Sequence, residues 1–580
     1  MPNREIPRIR IIRGDCSIVL GGEAGQGIRT IEDVLTRVLK LSGYNVFSTR
    51  EYMSRIRGGV NTTEVRVSSR RVSAFLNRID ILMPLGLGVI TRLRRRVSRD
   101  TIILGERSIL GEDLKGYEEQ FIEVPITDTA SRIGGSIYSN IVAAGVLAGL
   151  LKAEMIMLED YLRKFFSAKG AEVVERNIAA AREGFRIGED PSISGMLRVE
   201  LDRNPGVREE LLIGGGEAVA LGAAAGGCNF LAFYPMSPST SIAVYLAQHM
   251  EKLGIIVEQA EDEISAINMV LGAWYAGARA MASTSGGGFD LMVEGLSLAG
   301  MIESPIVINI GMRPGPATGL PTRTEQADLG IALYSGHGEF PRIILAPGTI
   351  EDAFHLTRRA FNLADKYQVP VIILTDQYLI DSMYNIMGEL KPSEEDIERY
   401  IVETDREYRR FRFTEDGLSP RGIPGYGEGL VCVDSDEHDE EGHITEDLQV
   451  RSRMVEKRLR KLEALKGEAI PPQLIGDGDY SILVVGWGST YNPLREALES
   501  MGRDDVALLH FKQVYPLHPD AERYLRRAEE TVIVEGNATS QFGRLIKAET
   551  GLNLNKRLLK YDGMPFAVEE IVEGLKKLIS

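Results

Sequence analysis

The stretch from Tyr234 to Thr324 constrains this chain more than any other: a proline-punctuated turn, an apolar segment headed by acids, a glycine run and an arginine loop follow in order. Leu231-Ala232-Phe233 is predicted as a short buried strand. It ends in Tyr234-Pro235-Met236-Ser237-Pro238-Ser239-Thr240, where two prolines forbid helix until Pro238, which suits a first helical position. Ser237 therefore sits at a strand-to-helix turn, with the chemistry of an N-cap and a hydroxyl free to face a ligand. Val257 to Arg279 reads as one long helix with Glu258, Glu261, Asp262 and Glu263 at its head and an almost wholly apolar remainder, Ile264 to Trp274. A helix apolar on every face is buried, so a carboxyl in its first turns can be buried too. Burial raises a carboxyl's pKa, and a carboxyl kept partly protonated can donate to a ring nitrogen. The same acids can equally complement the helix dipole in solvent, and periodicity does not choose among the four.

Ser283-Thr284-Ser285-Gly286-Gly287-Gly288-Phe289 is a strand end opening into glycines, where missing Cβ atoms let backbone approach a ligand closely or simply turn the chain. Pro305 to Ile310 is predicted as a buried strand that delivers Gly311 to Thr322 as an irregular loop. An arginine held between glycines and prolines, Arg313, suits bidentate capture of a carboxylate; the other reading is a surface arginine that solvates its loop.

These motifs together resemble the pyrimidine-binding domain of the 2-oxoacid:ferredoxin oxidoreductases, thiamine-diphosphate enzymes with the turn Tyr-Pro-Ile/Met-Thr/Ser-Pro-Ser. Here that turn is Tyr234 to Ser239, with Ser237 where many relatives carry threonine. The family's helix has a glutamate followed by alanine and then Gly-Ala, a register met by Glu263, Ala266, Gly272 and Ala273. The resemblance implies that Glu263 hydrogen-bonds the pyrimidine N1′ of the cofactor. It implies that Tyr234, Pro235, Ser285, Gly286 and Gly287 line the cofactor, and that Arg313, assisted by Ser237, takes the 2-oxoacid carboxylate.

Composition suits a large globular enzyme: 580 residues, 26% charged and 44% hydrophobic. A formal net charge of −16 without a long basic stripe argues against a nucleic-acid binder. The nearest basic run, Arg92-Leu93-Arg94-Arg95-Arg96, reads as a solvated helix end or a local anion contact. Cys16, Cys228 and Cys432 are the three cysteines and form no CxxC pair, so the chain is expected to carry no iron-sulfur cluster or zinc of its own. No apolar stretch suits a signal peptide or a bilayer span, which makes the cytoplasm the expected location and a membrane role unexpected.

The expected fold class is α/β, with three successive α/β domains. Residues 1–190 begin with the strand Ser17-Ile18-Val19-Leu20 and the glycine turn Gly21 to Gly27 before a helix ending near Gly43. Such a turn can cradle an anion, but no acid sits where a dinucleotide site needs one, since Glu51 comes too late. With the string Arg55-Ile56-Arg57-Gly58-Gly59-Val60-Asn61 it resembles the family's γ domain, fused here in front. The resemblance implies that this domain helps to cover coenzyme A, with Arg55 and Arg57 as phosphate contacts or interface residues. Residues 191–210 read as a polar linker, 211–389 as the pyrimidine-binding domain, and 390–472 as a charged connecting segment. The acidic run Asp434 to His443 within that segment reads as a solvated loop rather than a metal site, its ligand spacing being irregular. Residues 473–580 resemble the transketolase C-terminal type of domain that follows in this family.

Thiamine enzymes hold the diphosphate and Mg²⁺ with Gly-Asp-Gly and a later asparagine pair. Here Gly476-Asp477-Gly478 has no such pair downstream and reads as a turn, so no metal site is expected in this chain. The resemblance therefore implies a β subunit that carries the diphosphate, metal and iron-sulfur sites and passes electrons to ferredoxin, in a heterodimer or dimer of heterodimers. The implied reaction is coenzyme A-dependent oxidative decarboxylation of a 2-oxoacid, 2-oxoglutarate or a broad range of acids. Two other readings are a non-oxidative thiamine transferase, which needs no ferredoxin, and a non-catalytic scaffold subunit, against which the retained Glu263, Ser237 and Arg313 argue.

Overall fold

The computed structural model describes residues 9–54, 58–391 and 397–579; Arg55 and Arg57 lie outside them. The chain packs as two compact units, one made of the residues up to Ile213 with Ser382–Glu389, the other of Gly214–Asp381 with Leu390–Ser580. Three α/β sheets follow one another along the chain, and the last two share the second unit.

The first unit is built on an eight-stranded mixed sheet in the order Phe121–Glu123, Ile102–Gly105, Ile81–Pro84, Asp15–Glu23, Val60–Ser68, Asn45–Glu51, Met383–Ile386, Leu211–Gly214. Its central strand extends the run expected at Ser17 to Leu20 and leads through the glycine turn into the helix Ile28–Leu41. The apolar helix Ser139–Leu150 lies against Ala171–Gly188 with glycines at four-residue spacing on both sides. A Cβ on Gly149 would stand 2.2 Å from the Phe185 carbonyl oxygen, and one on Gly184 2.2 Å from that of Val142, so backbone meets backbone. Among the described residues no single helix is long and apolar enough to cross a membrane. Replacing Gly149 by valine is expected to force these helices apart at a cost of about 1 to 3 kcal/mol, read as a lower melting temperature; an unchanged melting temperature would rule out such close packing.

Residues 191–210, expected as a linker, carry the short helix Pro191–Ser194, the strand Leu197–Glu200 and the turn Pro205–Glu209. The strand pairs in parallel with Arg10–Arg13 and buries Leu197 and Val199, a two-residue alternation hidden among charged neighbours. Met383–Ile386, inside residues 211–389 expected as the pyrimidine-binding domain, belongs instead to the first unit's sheet and pairs antiparallel with Asn45–Glu51. In the basic run Arg94 and Arg95 are exposed, while half-buried Arg92 pairs with Glu51 and half-buried Arg96 grips Glu64 at 2.6 and 3.0 Å.

The second unit contains a seven-stranded sheet in the order Ile256–Gln259, Phe230–Phe233, Ala280–Ser285, Ile306–Met312, Pro370–Asp376, Ile343–Leu345, Gln513–Tyr515. All pairings are parallel except the last, where a strand of the C-terminal region closes the edge. The inner strands are buried along their whole length, which explains their continuous apolar runs. The C-terminal sheet runs Gln473–Ile475, Val506–Phe511, Ile482–Trp487, Glu530–Glu535, Lys556–Leu559. Gln326 joins the two sheets: its side-chain oxygen accepts the Gly536 amide at 2.9 Å, and its amide group donates to the Trp487 carbonyl at 2.9 Å.

The single helix expected from Val257 to Arg279 is a strand, Ile256–Gln259, and a helix, Glu263–Tyr275. Parallel pairing with Phe230–Phe233 claims the β-branched head of the stretch, and Asp262 starts the helix by accepting the Ser265 amide at 2.7 Å. The helix after Pro238 likewise begins later, at Thr240. The acidic segment is not simply solvated: His438 is fully buried with its ring 3.9 Å from that of Phe411. Glu437 pairs with Arg451 and Arg458 on the helix Leu448–Gly467. From the same helix Lys457 and Lys461 each reach buried Glu303 at 2.5 Å, which ties the connecting segment to the turn before the strand Ile306–Met312. Asp477 lies in a bend after Gln473–Ile475 and accepts the amide of Asp479 at 3.2 Å.

Candidate active site

Four neighbouring parallel strands end on one edge of the seven-stranded sheet, and their carboxyl ends deliver the motifs of the Tyr234 to Thr324 stretch. This edge is where open α/β sheets bind ligands. Phe230–Phe233 leads into the Tyr234 turn, Ile256–Gln259 into Glu263, Ala280–Ser285 into the glycines, and Ile306–Met312 into Arg313.

Of the four acids, Glu258 and Glu261 are exposed, and Asp262 is engaged as the helix cap. Glu263, at the first helical position, is 2% exposed, and its Oε1 has no hydrogen-bond partner. Side chains at a helix start point back toward the N-terminus, and here that direction is the glycine run. A Cβ on Gly288 would lie 2.6 Å from Glu263 Oε1 and 2.1 Å from Thr284 Oγ1. Burial pushes the Glu263 carboxyl above its usual range, and the charge of Asp262 adds to the rise.

Ser285 is fully buried and its Oγ has no partner; Gly286 and Gly288 are buried, and Gly287 is half-buried. Rather than an open loop, the glycines form a short helix, Gly286–Phe289. Arg313 is 9% exposed. Its Nη1 donates to the Ser237 carbonyl at 2.7 Å, and its Nε has no partner. Ser237 thus meets the arginine through its backbone. Tyr234 and Pro235 are exposed.

One residue escaped the sequence reading. Asp328 opens the helix Leu329–Tyr334, and its carboxyl turns toward Gly286, where a Cβ would stand 2.4 Å from it. Its Oδ2 has no partner. In sequence it looks like an ordinary capping acid, so no signal pointed to it. Glu263, Ser285, Arg313 and Asp328 therefore each keep a buried, unpartnered polar atom around one glycine run. Buried polar atoms are nearly always paired, so a cluster of unpaired ones fits a bound polar ligand. Among the described residues no group of three or more His, Cys, Asp or Glu is placed to hold a metal ion.

Residues 221–457 match the family model described as pyruvate flavodoxin/ferredoxin oxidoreductase, thiamine diphosphate-binding, and residues 17–187 match that of pyruvate ferredoxin/flavodoxin oxidoreductase. The 2-oxoacid:ferredoxin oxidoreductase subunit alpha of Sulfolobus sp is 34% identical over 97% of this chain and 97% of its own length. The chain belongs to the 2-oxoacid:ferredoxin oxidoreductase alpha-subunit family.

A second relative, the 2-oxoglutarate synthase subunit KorA of Archaeoglobus fulgidus, is 35% identical over 63% of this chain and 98% of itself. Among solved structures, the 2-oxoglutarate:ferredoxin oxidoreductase from Magnetococcus marinus with 2-oxoglutarate, coenzyme A and succinyl-CoA bound is 30% identical. It covers 98% of this chain and 100% of its own, with a TM-score of 0.88. The chain is thus an oxidoreductase subunit with a thiamine diphosphate-binding domain. The orphaned Glu263 Oε1 beside a glycine cradle fits a ring nitrogen of that cofactor.

Proposed function

We propose that this chain is the α subunit of a coenzyme A-dependent 2-oxoacid:ferredoxin oxidoreductase that prefers 2-oxoglutarate or accepts a broad range of acids. Glu263 would hold the pyrimidine N1′ of thiamine diphosphate, Ser285 to Gly287 would pack against that ring, with Tyr234 and Pro235 at its edge, and Arg313 would take the substrate carboxylate. The observation that carries this reading is the unpartnered Oε1 of a buried glutamate whose carboxyl is raised by desolvation, at the mouth of a glycine run. When bound, the cofactor supplies the nucleophilic carbon that adds to the 2-oxo group and stores the electrons left when carbon dioxide departs.

The chain's own contribution is positional and electrostatic. Burial disfavours the Glu263 anion, which favours sharing of a proton between Oε1 and the ring nitrogen. The absence of Cβ atoms at Gly286 and Gly288 leaves the backbone bare, where any side chain would collide with Asp328 or Glu263. Arg313 presents a guanidinium tied by one arm to the Ser237 carbonyl, and its Nε is left free for an anion. The names of the Archaeoglobus and Magnetococcus proteins support 2-oxoglutarate as the preferred acid and coenzyme A as acyl acceptor. Arg55 and Arg57 are proposed as coenzyme A phosphate contacts.

The chain alone lacks a diphosphate and metal motif, so a β subunit would complete the site and carry electrons through an iron-sulfur cluster to ferredoxin. Expressed alone, this chain is expected to be colourless and inactive. With its β subunit it is expected to reduce viologen in the presence of coenzyme A and 2-oxoglutarate, and more slowly with pyruvate. Viologen reduction by the isolated chain, or none by the pair with any 2-oxoacid in a panel, would defeat the proposal.

A further inference from the structure

We propose that Asp328 is a further positioning residue of this site, one that sets how much of the Arg313 charge is available to a carboxylate ligand. The inference rests on the reading of Arg313 given above. It begins from what Asp328 does not do: although it stands at the head of the helix Leu329–Tyr334, its side chain caps no helix amide. Capping is the ordinary use of an aspartate at that position. Instead the carboxyl turns to the strand ends, where it accepts the backbone N–H of Arg313 and packs on Gly286 so closely that a Cβ there would be 2.4 Å away. The second oxygen, Oδ2, is shut off from solvent and has no partner.

Among the described residues, three charged groups act on this carboxyl. Asp290 comes from the turn after the glycine run, Glu325 from the same loop, and Arg313 from the end of the neighbouring strand. Two acids oppose one cation, and burial acts in the same direction as the acids. Burial is the largest cause that pushes Asp328 up to about 7, with the two acids adding to it, while the Arg313 amide and charge pull the other way.

The consequence for a ligand is competitive. An ionised Asp328 draws on the same guanidinium that an incoming carboxylate needs, and it repels that carboxylate. A neutral Asp328 leaves the guanidinium to the ligand and turns Oδ2 into part of a group that can donate a hydrogen bond. Binding of a carboxylate and protonation of Asp328 are therefore linked, each favouring the other. The sign follows: affinity for the acid is full below the Asp328 pKa and is lost as pH rises through it.

The test uses the αβ complex with 2-oxoglutarate. Its Michaelis constant is expected to rise about tenfold between pH 6 and pH 8, with the constant for coenzyme A little changed, as expected if only the protonated form binds well. The inhibition constant of 2-hydroxyglutarate, which keeps the carboxylates but lacks the 2-oxo group that reacts, should follow the same course. Asp328→Asn keeps an oxygen to accept the Arg313 amide but cannot ionise, so its profile should be flat within about twofold on the same reasoning. Asp328→Ala loses the acceptor and should raise the constant at every pH. An Asn variant that keeps the wild-type slope, or an Ala variant that behaves like wild type, overturns the proposal. Arg313→Lys separates the two levels. If it raises the 2-oxoglutarate constant while the Asn variant keeps its slope, only the role of Asp328 fails; if it leaves the constant unchanged, the reading of Arg313 fails first.

Discussion

Glu263→Gln is expected to lower the 2-oxoacid-dependent turnover of the αβ complex by roughly 10²-fold or more, while the chain keeps its fold. The amide has the same shape and sits at the same first helical position, so the Asp262 cap and the packing of the helix Glu263–Tyr275 are untouched. What it lacks is an exchangeable acid proton. The carboxyl is buried, its Oε1 is unpartnered, and burial already moves its pKa upward, so a ring nitrogen placed there can share its proton. An amide can donate a hydrogen bond but cannot pass that proton back and forth. Glu261→Gln is the control: Glu261 is exposed, and its loss should change turnover little. Equal effects in the two variants would show that Glu263 has no special role.

The difference between these two acids shows how much of the site the sequence carried. The Tyr234 turn, the glycine run and Arg313 were legible because prolines and glycines restrict backbone locally, and each sits at the end of an apolar run. Glu263 could be chosen only through the family register, because which acid is buried depends on where the strand stops and the helix starts. The strand Ile256–Gln259 was missed for the same reason: it is an edge strand, largely exposed, and its only reason to be extended is the neighbour it pairs with. Long-range pairing also hid the strand Met383–Ile386, where the Asn385 side chain accepts the Val46 amide at 2.8 Å from 339 residues away. Asp328 was invisible because an acid before a helix looks like a cap until its side chain is seen turning elsewhere.

Arg313→Lys is expected to raise the Michaelis constant for the 2-oxoacid roughly tenfold to a hundredfold, because one charge-assisted hydrogen bond is worth about 1.5 to 3 kcal/mol. The constant for coenzyme A should hardly move. Arg313 leaves the strand Ile306–Met312 at its carboxyl end, and one arm of its guanidinium is fixed on the Ser237 carbonyl at 2.7 Å. That tether leaves Nε unpartnered and the plane of the group set. A planar fork fixed in this way can meet both oxygens of a carboxylate, whereas an ammonium is a point charge that must choose between the Ser237 carbonyl and the ligand. A loss in ground-state binding alone would appear in the Michaelis constant with turnover preserved, and a loss in both would mean that the arginine also holds the acid in its reacting position. A shift confined to coenzyme A, or no shift at all, would remove Arg313 from the substrate pocket and leave it as the residue that ties the Gly311 to Thr322 loop to the Tyr234 turn.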